Sequence, residues 1–169
     1  VHKNEIVKSS VPVLAQAAGT MGGPQIRNVA TLGGNLCNGA TSADSAPTLL
    51  ALEAKLVIES LEGTREISIK SFYKGLYEVD IRPHEILTTI KIPPIDGNWG
   101  GYYTKFSMRK AMDISTLGCA VVCILNNSRS IKDIRIALGT AAPTPIRCYN
   151  AEKKGIGGLI TEEFFQELG

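Results

Sequence analysis

Ile26-Arg27-Asn28-Val29-Ala30-Thr31-Leu32-Gly33-Gly34-Asn35-Leu36-Cys37-Asn38-Gly39-Ala40-Thr41-Ser42-Ala43-Asp44 is the stretch on which the reading of this chain turns. No regular hydrophobic period survives across it: Gly, Asn, Thr, Ser and Ala surround scattered apolar anchors at Ile26, Val29, Leu32 and Leu36. Gly33-Gly34 can take positive φ and bring backbone N–H groups close to a ligand with no Cβ in the way. Successive N–H groups in such a turn form an anion-binding nest. Thr31, Asn35, Asn38, Thr41 and Ser42 add short neutral donors. The stretch then runs into a predicted helix start, whose free N–H groups also favour an anion. A pyrophosphate could be held here without a single Lys. No Gly-Lys-Ser/Thr follows, which excludes a Walker loop, and the absence of G-x-G-x-x-G excludes the Rossmann fingerprint. The same residues equally make a tight turn, with Asp44 as a plain helix N-cap.

On the N-terminal side, the spacing predicts a helix from Ser10 to Met21. Ser10 can cap it, Pro12 fits its first turn, and Val11, Leu14, Ala18 and Met21 share one face. Gly22-Gly23-Pro24 stops it. On the C-terminal side a second helix runs to Glu53, capped by Asp44 or Ser45, with Pro47 in its first turn. Lys55–Ser60 and Arg65–Ile69 alternate around Glu62-Gly63 as a hairpin. Ser71–Gly75 reads as a helical turn, Glu85–Ile92 as a strand, and Pro93–Gly101 as a linker. Three strand patterns follow, Tyr102–Met108, Ser115–Leu125 and Ile131–Leu138, the last two joined by a turn at Asn126-Asn127-Ser128. Pro143 and Pro145 break the pattern over Ala141–Arg147, and a terminal helix starts near Thr161. Helices interspersed with antiparallel hairpins mean an α+β fold.

The chain has 169 residues, enough for one domain with a solid core or for two small lobes. Its net charge of +2, from 18 basic and 16 acidic residues, is nowhere concentrated, which argues against nucleic acid. Apolar runs such as Cys119–Leu125 are too short to span a bilayer, and no signal peptide opens the chain. It lacks an initiator Met and ends abruptly, as expected of a piece of something larger. Four cysteines (Cys37, Cys119, Cys123, Cys148) form no C-x-x-C pair, which argues against zinc, thioredoxin-like and iron–sulfur centres. Cys119 and Cys123 share one strand face and read as small core residues. With no disulfide demanded, the chain suits a reducing cytoplasm.

Ile-Arg-Asn-Val-Ala-Thr-Leu-Gly-Gly-Asn-Leu (26–36) followed by Thr-Ser-Ala-Asp (41–44) resembles the second glycine motif of the FAD-binding domain of molybdenum hydroxylases. The resemblance continues through Glu85–Pro93, Tyr103–Arg109, Met112–Ser115 and Ala141–Arg147, and is closest to bacterial xanthine dehydrogenase FAD subunits. It implies an FAD lobe of the vanillyl-alcohol-oxidase-like type over residues 1–95, with its smaller N-terminal lobe missing. A truncated C-terminal domain, a three-stranded antiparallel sheet with helices, follows over 96–169. By the same resemblance Thr31, Gly33, Gly34 and Asn35 lie against the FAD pyrophosphate and its neighbours, and Asp44 holds a ribose or ribityl hydroxyl. Ile86 or Leu87 makes an apolar contact to flavin or adenine. Lys105 stands near the isoalloxazine, where a cation favours the negatively charged reduced state. The implied role is relay: electrons from iron–sulfur clusters (2Fe-2S) on one partner subunit, fed by a molybdopterin-binding subunit, pass through FAD to NAD or another acceptor.

Carbon monoxide, nicotinate and hydroxybenzoyl-CoA enzymes share the motif. One rival is a flavin oxidase acting directly on its own small substrate. It needs a catalytic base, and His2 and His84 both lie outside the Gly/Thr/Asn/Ser cradle in sequence, so no catalytic residue is expected. The other rival is a degenerate scaffold that holds partner subunits together.

Overall fold

The structure, a computed structural model, describes residues 1–110, 112–126 and 130–168. The chain opens with α1 (Glu5–Ser10), which buries nothing and is capped by Asn4, whose side chain accepts from the Val7 N–H at 3.1 Å. Ser10 therefore ends a helix rather than capping one. Val11 breaks the path, and α2 (Pro12–Thr20) starts on Pro12, burying Val13, Leu14, Ala15, Ala17 and Ala18. Two further short helices, α3 (Pro24–Val29) and α4 (Leu32–Cys37), occupy the stretch in which no period was legible. Six residues are too few for a 3.6-residue period to show. The Arg27 guanidinium closes the α2–α3 turn on the carbonyls of Met21 and Gly22, at 2.8 and 2.9 Å.

Helix α5 (Ser45–Ala51) is buried along its whole length. It leads into β1 (Lys55–Ser60), the centre of a three-stranded antiparallel sheet between β2 (Gly63–Ser68) and β5 (Ile86–Lys91). Leu56, Val57 and Ile58 are all buried, because β1 is covered on both faces. The helical turn expected over Ser71–Gly75 lies earlier, as a 3-10 turn at Ile69–Ser71, and most of the expected segment is strand. The turn runs into β3 (Tyr73–Gly75), paired with β4 (Glu78–Val79). Gly39 has φ +65°, and a Cβ there would stand 2.8 Å from the Tyr77 Cα. Its carbonyl accepts the Tyr77 N–H at 3.0 Å, which ties the glycine-rich stretch to the 73–79 hairpin.

The second sheet runs β6-β7-β8-β9, from β6 (Asn98–Phe106), β7 (Leu117–Leu125), β8 (Ile131–Gly139) and β9 (Ile146–Arg147). Three long strands carry it, with two residues as the fourth. Asn98–Gly101, read as linker, belong to β6. A glycine in a strand marks a close approach, and at Gly101 a Cβ would stand 2.9 Å from the Val121 carbonyl oxygen and 3.2 Å from the Val13 Cβ. That gap lets α2 lie down on β6. On β7 the core face is Ala120, Val122 and Ile124. Cys119 and Cys123 do share a face, but it is the opposite, half-buried one, where partial burial raises both thiol pKa values. Asn127 and Ser128 of the predicted turn lie outside the described residues.

Helix α6 (Tyr149–Gly155) packs on β8 and α7 (Glu162–Leu168) follows. The Arg147 guanidinium grips Glu152 at 2.5 and 3.0 Å and reaches Glu53 at 3.5 Å, fixing β9 and α6 to the end of α5. One core unites both sheets: Val13 and Leu14 of α2, Leu36, Leu49, Leu56 and Phe72 meet Tyr103, Ala120, Val122 and Ala137.

Gly39→Ala should destabilise the fold by about 1–3 kcal/mol, the range for a non-glycine residue held at positive φ; urea unfolding measures it. At the far edge, Arg65 of β2 holds Glu85 at 2.8 and 2.7 Å, and the Arg82 N–H adds 2.8 Å. The Arg65 guanidinium, with that N–H, holds the Glu85 carboxyl down to about 2. A depressed folded pKa gives stability that is complete above the unfolded value near 4.3 and is lost as pH falls toward 2. Glu85→Gln should therefore flatten stability against pH between about 4.5 and 2 in unfolding titrations, leaving the neutral-pH slope unchanged.

Candidate cofactor site

The site residues read from the sequence fall on three elements. Thr31 is the N-cap of α4, and its Oγ1 accepts the Gly34 N–H at 2.9 Å. Gly33 and Gly34 are the second and third residues of the helix, and neither has positive φ. The expected left-handed turn is thus a helical first turn, and its ligand-facing resource is the ordinary one of a helix start. The Asn35 N–H bonds to the Thr31 carbonyl at 3.0 Å, while among the described residues no acceptor meets the amides of Leu32 and Gly33.

Glycine at 34 has an internal reason, since a Cβ would press on the Thr31 Oγ1 at 3.0 Å. Glycine at 33 has none: a Cβ there meets only Leu87 of β5, at 3.9 Å, and the conformation is helical. A glycine inside a helix weakens it, and no contact within the protein calls for one at 33. Leu87 is half-buried against the core beside Gly33, whereas Ile86 is 69% exposed. Of the two, Leu87 is the residue near the glycines.

From α4 the site continues through Asn35, whose Oδ1 accepts the Ser45 hydroxyl at 2.5 Å. Next to Ser45 is Asp44, 5% exposed. Asp44 occupies the N-cap position of α5, yet its side chain makes no capping bond. It turns toward β6 instead: Oδ1 accepts the Tyr103 hydroxyl at 2.6 Å and Oδ2 accepts the Lys105 ammonium at 2.9 Å. Lys105 also donates to the Thr20 carbonyl at 3.4 Å. Each Asp44 oxygen keeps acceptor capacity for a further donor. Burial, and after it the Asp44 charge, holds the Tyr103 phenol far above its ordinary pKa, so the phenol stays a proton donor.

Lys105 lines a cleft of about 890 Å³ between the end of α2, the 22–27 turn, β6 and the 107–113 segment. Gln16, Thr20, Arg27, Tyr103 and Arg109 line it too. The volume is of the size that holds cofactors. Asp113 accepts the Arg109 N–H at 2.7 Å, and this with the Ile114 N–H and the guanidinium lowers its pKa. Thr31 and Leu32 line a separate recess of about 50 Å³, and Arg27 borders both spaces. His2 also lines the recess, which departs from the expectation that both His stand clear of the cradle. Burial, then Arg27 and Lys3, lower its pKa. His84 lies 3.9 Å from Glu62 and is half-exposed.

The structure thus brings the seven residues into two groups, Thr31–Asn35 with Leu87 and Asp44 with Lys105, bridged by the Asn35–Ser45 bond. Reading the sequence for a site missed Tyr103 and Arg27. For Tyr103 a signal existed: two residues before Lys105 in a strand, it shares the lysine's face.

Residues 1–95 match the family model for the FAD binding domain in molybdopterin dehydrogenase, and residues 102–169 that for the CO dehydrogenase flavoprotein C-terminal domain. The xanthine dehydrogenase FAD-binding subunit of Escherichia coli O157:H7 is 48% identical over 152 residues, 89% of this chain and 52% of that protein. The carbon monoxide dehydrogenase medium chain of Hydrogenophaga pseudoflava is 34% identical over 161 residues, 95% of this chain and 55% of that protein. The solved carbon monoxide dehydrogenase of Hydrogenophaga pseudoflava that lacks the Mo-pyranopterin moiety superposes with a TM-score of 0.91 at 32% identity, covering 99% of this chain and 57% of that one. The chain spans about half the length of the curated relatives it matches. Taken with the α4–Asp44–Lys105 arrangement, the match over residues 1–95 means that the chain belongs to the family of FAD-binding domains in molybdopterin dehydrogenases.

Proposed function

We propose that the protein is the FAD-binding electron-transfer subunit of a molybdenum hydroxylase, of the xanthine or purine dehydrogenase type. Residues 1–95 are read as the larger lobe of its FAD-binding domain and 96–169 as its C-terminal domain. Electrons would come from the iron–sulfur clusters of one partner subunit, supplied by a molybdopterin-binding subunit, and leave to NAD or another acceptor. The xanthine dehydrogenase relative, at 48% identity, favours this member of the family over the carbon monoxide type. Four free thiols suit a reducing, cytoplasmic setting, and among the described residues no helix is long and apolar enough to cross a membrane.

FAD, when bound, supplies the electron exchange, and the protein's part is to hold and bias it. The open amides of Leu32 and Gly33, with Thr31, Gly34 and Asn35 around them, would hold the pyrophosphate. Asp44 has spare acceptor capacity for a ribose or ribityl hydroxyl, Leu87 would offer an apolar contact, and Lys105 would supply a positive charge near the isoalloxazine. The observation that carries the relay reading is the buried Asp44–Lys105 ion pair, whose ammonium borders a large cleft. Such a cation can bias a flavin's charge, and the Asp113 carboxylate of the lining is tied to the Arg109 and Ile114 N–H groups.

The full-length subunit loaded with FAD should take electrons from NADH or dithionite and leave purines and aromatic alcohols unoxidised. Bleaching of its flavin by an organic substrate alone would replace relay by direct oxidation. Gly33→Ala separates cofactor binding from folding because its two effects have opposite signs. Apo stability should hold or rise by about 0.5–1 kcal/mol, since alanine favours a helix over glycine. FAD affinity should fall at least about tenfold, equivalent to about 1.4 kcal/mol. Unchanged affinity by flavin fluorescence titration would remove α4 from the site.

A further inference from the structure

We propose that Tyr103 is a positioning residue for the cation bordering the cleft: its phenol fixes the Asp44 carboxylate and so sets how much of the Lys105 charge reaches the flavin. This rests on the reading of that cleft as the flavin's surroundings. Three observations converge on it. Tyr103 is 2% exposed in the shared core, a place where a phenylalanine would suffice for packing, and a buried hydroxyl is unfavourable unless it is bonded. Its hydroxyl is bonded, to Asp44 Oδ1 at 2.6 Å, on the carboxylate whose other oxygen holds Lys105.

The surroundings are also shaped for that bond. A Cβ at residue 118, across β7, would stand 2.7 Å from the phenol oxygen, so Gly118 leaves the room the hydroxyl occupies. From the other side the Gln16 Oε1 of α2 accepts the Tyr103 N–H at 3.0 Å, fixing the height of β6 against the helix. The phenol is held protonated by burial and by the carboxylate itself, so it acts as a donor throughout.

The physical consequence is graded. A carboxylate that shares its charge with a phenol offsets less of a neighbouring ammonium than one that does not. Removing the phenol hydroxyl frees the carboxylate to turn and to draw Lys105 more strongly. Less positive potential then remains at the cleft, and the midpoint potential of the bound flavin falls.

The test is a double-mutant cycle on the full-length, FAD-loaded subunit, read by flavin midpoint potential with dye equilibration. Asp44→Asn with Lys105→Met serves as the second arm, because together they leave no unpaired buried charge. Tyr103→Phe should lower the potential in the parent and leave it unmoved in the D44N/K105M background. A shift in D44N/K105M with none in Y103F overturns the role of Tyr103 while the flavin reading stands. Equal Y103F shifts in both backgrounds overturn it as well, since the effect then bypasses the pair. If FAD binds and no variant moves the potential, the cleft is not the flavin's surroundings and both ideas fall. Should Y103F not fold, 3-fluorotyrosine placed at 103 keeps ring and donor with a more acidic hydroxyl. It should raise the potential, and a fall or no change overturns the proposal.

Discussion

A negative charge with almost no exposure has to be answered inside the protein, and at Asp44 the answer comes from 59 and 61 residues further along the chain. Asp44 or Lys105 lost alone would leave an uncompensated buried charge, at a cost of about 3–5 kcal/mol by analogy with other buried pairs. The requirement dictates much else. Strand β6 must run past the start of α5 at a fixed height, α2 must lie flat on β6, and Gly101 must stay bare to allow it. The glycine-rich stretch is then held from both ends, by Arg27 on the α2–α3 turn and by Asn35 on Ser45.

Much of this was legible in the residues. The hairpin at Glu62-Gly63, the strand before Pro93 and the long strands of the second sheet follow from two-residue alternation, and they stand within a residue or two, or a few at the ends, of the predicted bounds. Four of the short helices, α1, α3, α4 and α6, were not legible. The α3 and α4 helices lack the length to display a period, α1 buries no residue, and α6 starts right behind a two-residue strand. Their stability comes from caps and tertiary bonds, which a hydrophobic pattern does not record.

The site divides in the same way. The glycines, Thr31 and Asn35 are chemically suggestive in one dimension because they are contiguous. Asp44 and Lys105 carry opposite charges far apart in sequence, and each alone reads as a cap or a surface lysine. Their pairing is a tertiary fact. So is the difference between Gly33 and Gly34, identical in the sequence but unlike in what a methyl group would meet.

The two segments recognised by separate family models share one hydrophobic core, one buried ion pair and one arginine–glutamate lock from β9 to α5. A boundary drawn between them is therefore a boundary in sequence but not in matter. Chimeras that join the first segment of one relative to the second of another inherit a seam running through the interior. That seam is lined on one side by Val13, Gln16 and Asp44 and on the other by Gly101, Tyr103 and Lys105, so a chimera that changes one side must match the other.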